Sequence, residues 1–242
     1  EYKINILRPI PLGTEVEDLK EGLAAIEARA RAAAESGDWK VPQRTLGRTG
    51  EKVSLLGIGC AQMGNNRDTT PEDIEKVFRR ALELGVNYLD SAPNYSRAEE
   101  KMGPAIRKIR DQVFLVTKTE EPTYEGTWRL LRQSMERMQT DHIDLVHIHN
   151  VGFEERFPDL EFSLGEKGTL GALREAKEKG VIRYIGASGH LYPSRFHRVL
   201  DTGEIDVIMN AVNFVAQHVY DFEHKVWSRA RQENVGLVAM KV

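Results

Sequence analysis

Apolar residues along this chain follow two alternating rhythms. Short runs dense in Val, Ile and Leu read as strands buried on both faces: VNYLDSA at 86–92, VFLVTK at 113–118, DLVHIH at 144–149, YIGASG at 184–189, VIMNAV at 207–212 and GLVAMKV at 236–242. Ahead of them, RTLGRTGEKVSLLGIG at 44–59 reads as a small hairpin running into a first strand, with Gly50 near its turn. Between the strands the apolar residues recur every three or four positions. Ile74, Val77, Phe78, Ala81 and Leu82 form one such face. Thr70-Pro71-Glu72-Asp73 opens that helix with a cap, a proline and two acids, and Gly85 stops it. Trp128, Leu131, Met135 and Met138 stripe another helix as core. Further helices are expected around 99–109, over 169–179, from about 194 and over 222–233.

Strand–helix alternation of this kind calls for a parallel sheet with right-handed crossovers. An open doubly wound sheet and a closed eight-stranded barrel compete. The first strand–helix loop lacks a G-x-G-x-x-G phosphate turn, which counts against the nucleotide-binding open sheet. The expected fold is therefore α/β, a (β/α)8 TIM barrel without its last strand and closing helices in this sequence. Residues 1–43 stand apart as an N-terminal extension, with 44–242 as the barrel. Thr14 and Glu17 have capping-box spacing, and Val16, Leu19, Leu23, Ile26, Ala30 and Ala33 form a narrow apolar seam. That seam suits packing on its own domain, or a homo-oligomer contact through the N-terminal helix.

Composition narrows the classes. Apolar residues make up 40% and charged residues 29%, as in an ordinary globule. A net charge of −3 gives no reason to expect nucleic acid or an anionic membrane. No run reaches the ~18 apolar residues of a membrane span. The single cysteine, Cys60, rules out an internal disulfide and fits a reducing, cytoplasmic compartment. The sequence begins at Glu1, which leaves a preceding targeting segment open.

Chemistry in parallel α/β folds gathers at the carboxyl ends of strands. Those ends carry Asp90 and Tyr95, Lys118, His149 and Ser188, one strand–helix unit apart, and the even spacing predicts a common height. An acid, an amine, a phenol and an imidazole in one mouth make a plausible reaction centre. Each has a plainer reading: Asp90 as a turn cap, Lys118 as a solvated strand end, His149 as core. His147 and His149 share a strand face, so a metal-dependent barrel hydrolase is a second possibility, although no further ligand set is evident. The loop 150–168 carries Phe153, Phe157 and Phe162, which either wall the substrate site or cover the barrel rim.

With LDSAPNY, VTK and DLVHIH in this order, framed by RTLGRTGEKVSLLGIGC, GVIRYIGASGH and GLVAMKV, the chain resembles the aldo-keto reductases over about 44–242. The resemblance implies reduction of an aldehyde or ketone by hydride from a nicotinamide cofactor, NADPH first and NADH second, with a small carbonyl substrate. It implies Tyr95 as proton donor, Lys118 and Asp90 as its electrostatic partners, and His149 as the group orienting the carbonyl. No resident metal is implied. Ser188 matches the serine that contacts the nicotinamide amide, while Gly189 stands where an asparagine commonly follows. Met209 takes the place of a glutamine, with Asn210 and Asn213 beside it, and Met240 that of the stacking aromatic. A third reading keeps the barrel as a non-catalytic cofactor sensor.

Overall fold

The computed structural model describes residues 39–213 and 215–241, with Ala28 and Ala32. Ala28 and Ala32 are helical and exposed; the rest of the expected N-terminal helix, with its apolar seam, lies outside the described residues. The chain divides into two units, Glu1–Lys40 and Val41–Val242, and the architecture below is that of the second.

Strands β1 (Gln43–Thr45) and β2 (Lys52–Ser54) pair antiparallel as the expected hairpin. Its turn is a short 3-10 helix, Gly47–Thr49, closed by Gly50 at φ 73°, a left-handed conformation that glycine adopts without strain. Seven parallel strands follow: β3 (Ile58–Gly59), β4 (Tyr88–Asp90), β5 (Phe114–Thr119), β6 (Ile143–His149), β7 (Ile182–Gly189), β8 (Val207–Ala211) and β9 (Gly236–Met240). They stand in chain order, each beside the next, with β3 and β9 as the two edges. The sheet is the arc of a TIM-type barrel with seven of its strands.

Period-two alternation sorts the strand residues onto two faces. One face holds Tyr88, Phe114, Val116, Leu145, Val207 and Met209, with Leu46 of the hairpin closing it from below. The other holds Leu89, Leu115, Ile148, Ile185 and Ile208 and receives the helices. Chief among these are α2 (Pro71–Glu83), α3 (Ala98–Ile109), α4 (Tyr124–Met138), α6 (Thr169–Glu178) and α7 (Pro193–Asp201). At the start of α2 the Thr70 hydroxyl accepts from the Asp73 amide at 3.2 Å, and the Asp73 carboxylate accepts from the Thr70 amide at 3.3 Å. This is the cap the sequence promised, made reciprocal by an aspartate.

Four stretches depart from the expectation. The loop 150–168 contains a short helix, α5 (Leu160–Leu164), capped by Asp159, whose carboxylate accepts from the Phe162 amide at 2.9 Å. Phe157 is wholly buried in the core and Phe162 is 44% exposed, so these aromatics form no continuous wall. Single-turn helices α1 (Ala61–Asn65) and α8 (Ala216–Val219) are too short to carry a helical period. The helix expected over 222–233 is a π-helical turn, Glu223–Trp227, followed by α9 (Ser228–Gln232).

The amino end of the sheet is tied by charge. Asp144, nearly buried on β6, accepts from the Leu115 amide at 2.7 Å and pairs with Arg110 and Arg183, each at 2.9 Å. Removing its carboxylate leaves the nearly buried Arg110 guanidinium without a counter-ion and a strand amide without its acceptor. Asp144→Ala is expected to lower the unfolding free energy by about 3 kcal/mol, read by urea denaturation at pH 7. A midpoint equal to the parent's would show the cluster to be idle.

Candidate active site

The mouth is built around a buried cation. Lys118, near the end of β5, has a side chain only 1% exposed. Its Nζ donates to Asp90 Oδ1 at 2.6 Å and to the Ser91 carbonyl at 2.6 Å. The two residues are not level in the sheet: Asp90 is registered with Val116, and Lys118 with His147. Strands tilted across a barrel step their strand ends in this way, and the long lysine stem spans the offset. The even spacing in sequence thus gives a staggered row. Burial pushes the Asp90 carboxyl above its ordinary range, and the Lys118 charge and hydrogen bond pull it back.

Tyr95 reaches the same place from the loop after β4. Its amide closes a turn onto the Ala92 carbonyl at 3.1 Å. Helix α1 approaches so closely that a Cβ on Gly64 would fall 2.0 Å from the Tyr95 carbonyl, so only glycine fits there. Lys118 Nζ lies 4.9 Å from the centre of the Tyr95 ring. The ammonium therefore faces the phenol ring, with two of its three donors occupied by Asp90 and Ser91.

His149 completes the group at the end of β6. Its ring stands edge-on to Tyr95, centroids 6.5 Å apart. Nδ1 shares a hydrogen bond of 2.9 Å with the Ser188 hydroxyl. Burial, reinforced by the positive charge of Lys118, lowers the His149 pKa to about 2, so the ring is neutral. His147, one layer deeper, is wholly buried and is also held neutral by burial and Lys118. It is packed so tightly that a Cβ on Gly186 would fall 2.3 Å from its Nδ1. No group of three His, Cys, Asp or Glu able to hold a metal occurs among the described residues.

Asp90, Tyr95, Lys118, His149 and Ser188 are thus brought together. The sequence did not single out Glu120, two residues past Lys118, or the Asn94 and Arg156 that hold it. Glu120 Oε1 stands 3.7 Å from His149 Nε2. The two-residue step from Lys118, which puts both on one strand face, was the available signal.

Comparison with known proteins decides the family. The model described as the aldo/keto reductase family matches residues 55–242. The chain belongs to the aldo/keto reductase family. It is 30% identical over 190 residues to an L-galactose dehydrogenase of Arabidopsis thaliana, covering 72% of this chain and 57% of the relative. It is 30% identical over 208 residues to a D-arabinose 1-dehydrogenase of Saccharomyces cerevisiae, covering 76% of this chain and 59% of the relative. The chain spans somewhat over half the length of these two relatives. The holo form of an aldo-keto reductase from Bacillus halodurans superposes with a TM-score of 0.68 at 27% identity, over 82% of this chain and 65% of that one.

An aldo/keto reductase needs a place for a nicotinamide, and the residues offered for it divide. Ser188 presents its hydroxyl at the mouth, and Met209 and Met240 lie on the inner face. Asn210 does not serve. It follows Met209 by one residue and so points to the helix face, where its amide donates to the Gly189 carbonyl at 3.2 Å and accepts from the Trp227 indole at 3.1 Å. Gly189 likewise faces outward: a Cβ there would meet Phe196 at 3.1 Å. Beyond these residues a cleft of about 490 Å³ opens at the ends of β7, β8 and β9, lined by His190, Asn213, Tyr220 and Lys241 among others. Its size and its cation suit part of an anionic nucleotide cofactor, so the residues present fit such a group with thioethers in place of an amide and an aromatic ring.

The neutral imidazole carries a stability signature. Its folded pKa lies below the ordinary 6.5, so below that pH the unfolded chain binds the extra proton and the folded chain does not. Stability from this group is complete above pH 6.5 and falls as the pH drops toward about 2. The unfolding free energy of the wild type, read by urea denaturation, should fall between pH 6.5 and 4 by up to about 1.4 kcal/mol per pH unit for each such histidine. His149→Gln should flatten that slope. An unchanged slope in the variant would contradict the neutral, buried ring.

Proposed function

We propose that this chain reduces an aldehyde or ketone to an alcohol with hydride from a nicotinamide cofactor, NADPH in preference to NADH. The observation that carries the reading is the buried Lys118–Asp90 pair set against Tyr95 and a neutral His149. The family supports it, and so do the two relatives named as sugar dehydrogenases. A mouth lined with Asn94, Glu120, Arg156 and His149 suits a hydroxyl-bearing carbonyl compound. The single buried thiol, Cys60, suits a reducing compartment such as the cytoplasm.

When bound, the reduced nicotinamide supplies the hydride. The chain's part is to receive the charge that hydride delivery creates on the carbonyl oxygen. His149 is neutral and offers an N–H as donor without adding a charge. Tyr95 offers the proton. A free phenol has a pKa near 10 and is a weak acid at neutral pH. The Lys118 ammonium close to the ring stabilises the phenolate left behind. Asp90 and the Ser91 carbonyl hold that ammonium in a cavity that penalises an unpaired cation. Each donor aimed at the nascent alkoxide lowers the barrier by about 3 kcal/mol, by analogy with one oxyanion-hole donor.

Tyr95→Phe removes the proton and keeps the ring over Lys118. The variant should bind NADPH as the wild type does, read by nicotinamide fluorescence, and lose turnover by a factor of at least about 100 across a panel of sugar and aliphatic aldehydes. A variant that keeps full reductase activity refutes the assignment of Tyr95. A wild type that binds cofactor and turns over no member of the panel favours the sensor reading.

A further inference from the structure

Glu120 has no part in the mechanism above, yet its carboxylate stands beside the working nitrogen of His149. It follows β5 directly and lies two residues beyond Lys118, so strand alternation turns both side chains toward the mouth. Its side chain is 13% exposed. Oε1 accepts from Asn94 Nδ2 at 2.7 Å, and Oε2 is paired with Arg156. These anchors come from two different loops, the one after β4 and the one after β6. They hold Oε1 at 3.7 Å from His149 Nε2, outside the range of a formed hydrogen bond.

A neutral imidazole carries its one proton on Nδ1 or on Nε2. The partner of Nδ1 is the Ser188 hydroxyl, which donates or accepts equally well and so expresses no preference. An ionised carboxylate only accepts, so one placed beside Nε2 favours the proton there. We infer that Glu120 is a positioning residue: held off by Asn94 and Arg156, it selects the Nε2–H tautomer of His149 and leaves that N–H free for the substrate oxygen. Were the carboxylate to close to hydrogen-bond distance, it would occupy the donor. Were it absent, Ser188 would be satisfied by either tautomer, and the ring would present a bare lone pair to the carbonyl for part of the time. The geometry is independent of what the enzyme reduces. The consequence for turnover rests on the reductase reading.

The test is the imidazole itself. Full-length chain labelled with 15N in histidine is examined by long-range 1H–15N correlation at pH 7.5, with His149 assigned by the signals missing in His149→Gln. The wild type should show a pyrrole-type Nε2 and a pyridine-type Nδ1. Glu120→Gln and Glu120→Ala should move both nitrogens toward averaged shifts, with amide spectra otherwise like the parent. In turnover, Glu120→Gln should lower kcat on the order of tenfold while KM for NADPH stays within roughly twofold, as for carboxylates that orient a functional histidine. An Nδ1–H ring in the wild type overturns the inference without any variant, and so do variants whose imidazole shifts match the parent's. A wild type with the Nε2–H ring but no carbonyl turnover supports this assignment and sinks the reductase reading.

Discussion

The mouth is organised around one buried ammonium. Lys118 is almost fully enclosed, and an ion in such a place persists only if it is paired and hydrogen-bonded. Asp90 and the Ser91 carbonyl meet that requirement. The same charge then acts outward. It contributes to keeping His149 and His147 neutral, and it faces the ring of Tyr95. A carboxylate, a phenol and an imidazole near one another have many joint protonation states. With the cation paired to Asp90, the His149 ring beside it stays neutral and can donate without adding a charge of its own.

The backbone that places these groups is strained where they stand. Ser96, Asn150 and Lys241 take left-handed conformations at φ 53°, 59° and 58°, and each directly follows a residue of the mouth: Tyr95, His149 and Met240. A non-glycine residue in this region is uncommon, and such strain collects at functional sites. The sheet provides the compensation at its opposite end. There the hairpin seats Leu46 against the inner cluster, and Asp144 ties strand β5 to two guanidinium groups. Stability concentrated at the amino end and chemistry at the carboxyl end is the division of labour of barrel folds.

Much of this was legible in the residues. The alternation of apolar runs fixed the order of elements, and Asp90, Lys118 and His149 stood out because each closes a run. The stagger between them was not legible, because register belongs to the hydrogen-bonded sheet and equal spacing in sequence does not imply equal height. Asn210 was misassigned for a related reason: one step along a strand reverses the face, so a residue next to Met209 belongs with the helices. The helix Leu160–Leu164 carried its own signal in Asp159, but a turn and a half has no period to display. Glu120 was overlooked because it stands just past the strand, where a charged residue usually reads as solvated surface.

The two departures on the cofactor side meet at Ser188. With glycine at 189 and thioethers at 209 and 240, we propose that polar recognition of a nicotinamide amide centres on the Ser188 hydroxyl, which is already engaged by His149 Nδ1. A hydroxyl has one proton and two lone pairs. If it donates to Nδ1, its lone pairs stay open to an amide N–H of the cofactor. If it accepts from Nδ1–H, its proton is left to seek the amide oxygen, and the imidazole has no N–H toward the substrate. The tautomer that readies His149 for the carbonyl is therefore also the one that sets how Ser188 meets the cofactor. One proton position, favoured by Glu120 and relayed through two side chains, joins the two halves of the site.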